Sequence, residues 1–365
     1  MKRSDNSFYE FEGFQTWFGS LFVFMKKIIL ITLAILLLLS GCQKTSSNKD
    51  VKAIGEIIDG AGRKVTIKEN NKDATIASVY AVAVPFLVSL KITDRVKAVN
   101  VKTNFWKNAN EDLKNAESVG RGTVDLEKLA SFSPTAFIHR SNDPKTVEAV
   151  EKLGIDVICI TVENVEDVKY TLKILGEYFG VNDNANKTIE WIDKKFTYIK
   201  SIVDAIPMEE RKTALLMGGE LGRVAGSDML QSWMIEKAGG IPVVKEGENH
   251  NWINIGVEKV FVYNPDVIFC TSSTSRNYSC EELIKDNAWS ALKAIRNNNI
   301  FVVPAENDSW DMPGISCVLG TMYMLRKMYP NYFSIDDFED QVDDYYRFMF
   351  GRCFDIELNL DWDNY

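Results

Sequence analysis

"NDNANKTIEWIDKKFTYIKSIVDAI" (182–206) is the stretch that decides the fold. It contains no glycine or proline, and Ile189, Ile192, Phe196, Ile199, Ile202 and Val203 recur along it at spacings of three and four. That pattern is one apolar stripe on a helix. At ~1.5 Å per residue the segment would run ~35 Å, longer than most domain helices, and Pro207 stops it. The spacing predicts a single stiff rod joining the two halves of the chain on either side of it.

Both flanks have the same build. "RVKAVNV" (95–101), "PTAFIH" (134–139) and "IDVICI" (155–160) before the rod read as strands, as do "KTALLMGG" (212–219), "PDVIFCT" (265–271) and "NIFVVP" (299–304) after it. Helices are expected at "DPKTVEAVEKLG" (143–154), which opens on an Asp-Pro cap and ends at Gly154, and at 226–240 and 280–295. Short apolar strands alternating with amphipathic helices predict an α/β fold whose parallel sheets are covered on both faces. Two segments also echo one another: "DLEKLASFSPTAFI" (125–138) and "GVEKVFVYNPDVIF" (256–269). Glu127 matches Glu258, Phe132 matches Tyr263 and Pro134 matches Pro265, all at one constant shift. Each reads as a short helix ended before a proline and followed by a buried strand.

The N-terminus carries a different signal. An apolar run at 28–39 is about half of what a bilayer-spanning helix needs. It has Lys26 and Lys27 before it and Ser40 and Gly41 after it, the layout of a secretory signal. "LSGC" (39–42) is similar to a bacterial lipobox, which implies a diacylglyceryl group on Cys42 and cleavage just before it. Met25 opens a complete signal by itself, so 1–24 read as an upstream start-site extension. The 365-residue chain has a net charge of −9, of which the part before Cys42 contributes +1 and the remainder −10. An acidic body without a basic stripe excludes nucleic acid as a partner. Five further cysteines, with no CxxC among them, suggest neither a disulfide framework nor a zinc site. Cys270 and Cys280 are the one close pair, and a bridge between them stays open.

From 57 to 351 the chain resembles the class III substrate-binding proteins of ABC importers for iron chelates, haem, cobalamin and some oxyanions. The resemblance is carried by "IIDGAGRKVTI" (57–67), "VGRGTVDLEKLASFSP" (119–134), "WINIGVEKVFVYNPDVIF" (252–269), "AWSALKAIRNNNIFVVP" (288–304) and "DDYYRFMFG" (343–351). It implies two Rossmann-like lobes with central parallel sheets, joined by one long bridging helix, with ligand in the cleft between them and little hinge motion. The organisation then reads as signal peptide 1–41, lipid-anchored tether 42–55, first lobe 56–181, bridge 182–206, second lobe 207–351 and acidic tail 352–365. It also implies that Glu127 and Glu258, one per lobe, meet arginines of a permease dimer. The receptor would act as a monomer on the outer face of the cell membrane, held by the lipid on Cys42.

Ligands of open α/β sheets sit beyond the carboxyl ends of the strands. The loops expected there, and those before the two echoes, hold Trp106, Arg121, His139, Arg140, Arg223, His250, Trp252, Arg276 and Trp310, including both histidines of the chain. Guanidinium forks and aromatic faces suit a bulky anionic chelate. The expected cargo is an iron(III) chelate of the siderophore type; molybdate or tungstate, haem and cobalamin are the alternatives. Whether a protein side chain touches metal stays open. In "SWDMP" (309–313), Asp311 reads as a helix cap and Pro313 as a first-turn residue. No GxSxG, HExxH, P-loop or Cys–His nucleophile pattern occurs, so no enzymatic activity is expected. A sensor or adhesin lipoprotein is the remaining reading.

Overall fold

The computed structural model describes residues 51–246, 251–271, 276–305 and 308–352. The signal segment, Cys42, His250 and the tail from 353 lie outside the described residues. The described residues open on a hairpin of antiparallel β1 (Ala53–Ile58) and β2 (Lys64–Lys68). Asp59 organises its turn: its carboxylate accepts from the backbone N–H of Ala61 and Arg63, from the Arg63 guanidinium, and from the Cys159 N–H at 3.0 Å. A Cβ at Gly60 would stand 2.6 Å from the Thr161 nitrogen, so only glycine lets the hairpin lie this close to the first lobe.

The first lobe runs β3 (Ile76–Ala77), α1 (Ala83–Ser89), β4 (Val96–Val99), α2 (Asn104–Ala109), β5 (Glu117–Ser118), α3 (Leu126–Phe132), β6 (Ala136–Arg140), α4 (Pro144–Glu151), β7 (Asp156–Ile160) and α5 (Val165–Phe179). Its sheet has the order β5-β4-β3-β6-β7, all parallel. The rod is α6 (Asn182–Val203). It stops three residues before 206, because Ala205 and Ile206 turn back onto Ile202 and Val203 ahead of Pro207.

The second lobe runs β8 (Thr213–Met217), β9 (Arg223–Ala225), α7 (Leu230–Lys237), β10 (Ile241–Pro242), β11 (Trp252–Asn254), α8 (Gly256–Tyr263), β12 (Val267–Cys270), α9 (Cys280–Lys285), α10 (Lys293–Arg296), β13 (Ile300–Val302), α11 (Cys317–Met328) and α12 (Ile335–Phe350). Its sheet has the order β11-β9-β8-β12-β13, with β10 also paired to β8. It is not wholly parallel: β9 and β11 run antiparallel to their neighbours. The glycine-rich connection after β8 is too short for a crossover, so the chain can only double back. The helix expected over 280–295 is likewise broken. Asp286 takes an extended conformation and its carboxylate accepts the Ala288 N–H at 2.7 Å, a local alternative to the helical bond.

The apolar strands divide their side chains between two cores at period two. Ala214 and Leu216 of β8, and Val267 and Phe269 of β12, join a buried cluster that continues through Ile192, Ile199 and Val203 of the rod to Ala136 and Ile138 of β6. The intervening Leu215, Met217, Ile268 and Cys270 form a separate cluster on the other face of the second sheet. Phe137 does the same in the first lobe. The rod therefore belongs to both lobes: Asn184 near its start donates to the Leu90 carbonyl at 2.8 Å, and near its end Tyr198 meets Phe333 at 6.1 Å. The final helix α12 also reaches back, placing Tyr346 and Phe350 at 6.1 and 5.9 Å from Phe105 of the first lobe. No described helix is long and apolar enough to cross a membrane.

Candidate functional site

At the carboxyl end of the first sheet, β6 delivers His139 and Arg140, and the loop after it returns Asp143 beneath them. Asp143 caps α4, with Pro144 as its first residue. Its Oδ2 lies 3.1 Å from His139 Nε2, 3.2 Å from Arg140 Nη2 and 2.9 Å from Thr146 Oγ1. Partial burial pushes the Asp143 carboxyl up, but the bonds from His139, Thr146 and Arg140 outweigh it and hold the group well below the usual carboxylate range. His139 is 1% exposed. Burial lowers its pKa and the Asp143 bond only partly offsets this, so the imidazole is neutral near pH 7. With Nε2–H turned to the carboxylate, Nδ1 keeps a lone pair, and this buried atom has no partner among the described residues.

Tyr80, after β3, stands edge-on to His139 at 6.5 Å. Burial pushes its phenol up to about 12, with Glu163 adding to the effect and Arg140 opposing it. Alongside, Ser78 Oγ is 2.8 Å from the Ile138 carbonyl and Asn100 Nδ2 donates to the Val79 carbonyl at 2.6 Å. One sheet edge thus holds a neutral imidazole, a guanidinium, a carboxylate and a phenol within reach of one another.

The matching edge of the second sheet is built from Gly218, Thr271, Tyr278 and Asp311. Trp252 on β11 lies across Gly218, where a Cβ would come within 2.9 Å of two ring carbons. Tyr278 donates to the Gly218 carbonyl at 2.8 Å. Asp311 is 2% exposed rather than a helix cap; α11 begins only at Cys317. Burial pushes Asp311 up to about 6, against a bond from Thr271. Gln231 donates to the Asp311 backbone carbonyl at 2.7 Å. Nearby Asp308 accepts from Tyr345 at 3.0 Å, and its own burial pushes it up to about 7.

The expected ligand residues divide into four groups. Arg121, Arg140 and Arg223 are exposed, and Arg276 and Trp252 half-buried, at or beside these edges. His139 is brought together with Arg140 on Asp143. Trp106 and Trp310 are taken up by packing: Trp106 sits 5.4 Å from Phe350 in the core, and Trp310, 1% exposed, lies 6.0 Å from Phe338. His250 lies outside the described residues. Reading the sequence missed Tyr80 and Glu163, which come after strands, and Asp308; β3 is only two residues long, too short for a periodic signal. Asp143 is legible as a cap but not as the partner of His139. Among the described residues no cluster of three His, Cys, Asp or Glu is placed to hold a metal ion. Glu127 and Glu258 are exposed, each in the first turn of its helix, α3 and α8.

Comparison with known proteins agrees with the fold. The family profile described as periplasmic binding protein matches residues 76–307. The molybdate-binding protein MolA of Haemophilus influenzae is 23% identical over 338 residues, 85% of this chain and 95% of its own. Its molybdate-bound structure superposes with a TM-score of 0.69 at 18% identity, covering 82% of this chain and 99% of that one. A periplasmic solute binding protein from Veillonella parvula gives a TM-score of 0.69 at 21% identity, covering 84% and 95%. Helicobacter pylori CeuE in its Ni-His complex gives 0.68 at 19%, covering 82% and 96%.

Proposed function

Since this chain belongs to the periplasmic binding protein family, we propose that it is the extracytoplasmic receptor of an ABC importer and that its cargo is a compact oxyanion of the molybdate or tungstate type. The observation that carries this reading is the fate of the tryptophans. A wide chelate needs aromatic walls, and the core consumes Trp106 and Trp310. What stays exposed at the strand ends is cationic, Arg121, Arg140 and Arg223 with Arg276 half-buried, and Trp252 is the one expected tryptophan left at an edge. Guanidinium forks hold tetrahedral oxyanions by paired, charge-assisted bonds, and local field rather than the acidic net charge governs such binding. The likeness to MolA supports the same ligand class.

A second reading, an iron(III) chelate, is favoured by the unpartnered Nδ1 lone pair of His139, the natural donor for a metal centre. Trp252, half-buried at the second edge, would still offer it one aromatic face. In either case Glu127 and Glu258 are the permease contacts, and a diacylated Cys42 keeps the receptor at the outer membrane face, two chains being enough for stable anchoring.

The test is a thermal-shift and calorimetric titration of the mature chain with molybdate, tungstate, sulfate, phosphate and a ferric siderophore. A specific ligand at a hundredfold excess over its Kd adds ~2.7 kcal/mol to stability. Molybdate or tungstate should raise Tm, and Arg140→Gln or Arg223→Gln should weaken binding by about tenfold or more. A response to the ferric siderophore alone would transfer the assignment to the second reading. Silence toward all five would overturn both.

A further inference from the structure

Cys270 ends β12 and Cys280 begins α9, and both lie in the buried cluster on the outer face of the second sheet. The two thiols lie close enough for each to shift the other's ionisation. Arg276 brings Nη1 to 4.0 Å from Cys280 Sγ, while its guanidinium carbon stands 5.5 Å from the centre of the Tyr278 ring. The start of α9 is itself fixed: Ser279 and Glu282 form a reciprocal capping box around Cys280. Cys270 lowers the Cys280 thiol pKa; burial opposes this and the Arg276 charge assists it. Burial pushes Cys270 well up. Burial pushes the Cys159 and Cys317 thiols up to about 12, Cys159 in spite of the Arg63 charge beside it. Cys280, the better exposed thiol and the one beside the Arg276 guanidinium, is thus the one placed to react, with Cys270 in the same buried cluster.

We propose that Cys270 and Cys280 form a redox-modification site, closing to an intramolecular disulfide when the protein meets a small or protein-borne disulfide oxidant. The family works outside the cytoplasm, where such oxidants persist. Cys280, 7% exposed against 0% for Cys270, reacts first. Its thiolate attacks one sulfur of the oxidant R–S–S–R; the S–S bond breaks, Cys280–S–S–R forms, and R–S⁻ leaves and takes up the proton that Cys280 gave. Cys270 then loses its proton and attacks the Cys280 sulfur, expelling the second R–S⁻, which takes that proton. Two protein thiols are oxidised and one oxidant disulfide is reduced to two thiols. The bridge ties the end of β12 to the start of α9, across the stretch that carries Arg276 and Tyr278. It is independent of which ligand the protein carries.

The full chain is equilibrated in buffers of oxidised and reduced glutathione, quenched in acid, alkylated under denaturing conditions and mapped by mass spectrometry. A peptide pair joining positions 270 and 280, unalkylated and lighter by two hydrogens, is expected in oxidising buffer and lost in reducing buffer, with Cys159 and Cys317 alkylated throughout. Oxidised protein should melt higher than reduced, because the bridge constrains the unfolded chain. Cys280→Ser, at the better exposed position, should abolish both the bridged peptide and the shift in Tm; Cys270→Ser is the second variant. Full alkylation of both sulfurs in oxidising buffer, a bridge to any other cysteine, or a Tm shift that survives in Cys280→Ser would overturn the proposal.

Discussion

The stretches 125–140 and 256–271 are the same device built twice, 131 residues apart. Each is a short helix whose last turn is closed by a left-handed residue, Ser133 at φ 45°, ψ 51° and Asn264 at φ 42°, ψ 59°. A proline comes next, and then a buried strand. The backbone agrees; the chemistry at the strand ends does not. Where β6 finishes in His139 and Arg140, β12 and the residue after it carry Cys270 and Thr271. The scaffold repeats a position, and the side chain placed there decides whether the edge is cationic or soft and neutral. The two edges also titrate oppositely. His139 resists taking up a proton, while Asp308 and Asp311 resist losing one.

The largest effect is expected where the two units act together. If Glu127 and Glu258 both pair with permease arginines, truncating a buried charge pair costs about 2 kcal/mol or more, roughly thirtyfold. The Glu127→Ala, Glu258→Ala double variant should then lose at least that factor in ligand uptake while binding ligand in solution as the parent does. Uptake assays on whole cells, paired with calorimetry on the purified chain, measure the two separately. Normal uptake by the double variant would leave the repeat as architecture only.

Next in size is the second edge. The carboxyl of Asp308 rises to about 7 on folding, above its unfolded value near 4. The native state therefore binds more protons across that window, and stability falls as pH rises through 7. Asp308→Asn keeps an acceptor for Tyr345 and removes the charge. It should raise stability at pH 8 by on the order of 2 kcal/mol and change little at pH 4, where the unfolded carboxyl is itself largely protonated. Chemical denaturation at the two pH values checks this; equal effects at both would mean that burial of Asp308 is relieved by solvent.

The first edge predicts the reverse slope. His139 is lowered below its unfolded value of about 6.5, so the unfolded chain binds more protons under acid conditions and stability falls as pH drops through that value. His139→Gln should flatten the loss of Tm between pH 7 and pH 5 that the parent shows. The carboxyl of Asp143, held low by its partners, adds a further loss only in stronger acid, below about pH 4. Unchanged slopes in the variant would assign the acid limb to other groups.

How much of this was open to reading depends on how local each signal is. The rod, the helix-proline-strand repeat and the Asp143 cap announce themselves within a few residues. The reversed β9 does not, because its direction depends on how short the loop after β8 is. Trp106 looks like a ligand residue in its own loop and becomes a core residue through Phe350, at the far end of the chain. Trp310 is claimed in the same way by Phe338 of α12. Side-chain fate in a loop is a long-range property, and two of the three expected tryptophans went into the core on that ground. The permanence of Arg121, Arg140 and Arg223 at the edges has the opposite cause: a guanidinium is rarely drawn fully into a core.

The smallest effect separates the two units most finely. A residue other than glycine in the left-handed region carries about 1 kcal/mol of strain, which glycine relieves. Ser133 makes one bond of its own there, to the Ala130 carbonyl at 3.0 Å and exposed to water. Asn264 does more: its Oδ1 accepts the Lys293 N–H at 2.9 Å and so pins α10 to the end of α8. Ser133→Gly should therefore stabilise the chain by about 0.5 kcal/mol, whereas Asn264→Gly should be neutral or destabilising by about the same amount as the lost bond offsets the relieved strain. Denaturant midpoints for the two variants measure the difference. Equal shifts would mean that the Asn264 bond contributes nothing and that the repeated caps are equivalent in energy as well as in shape.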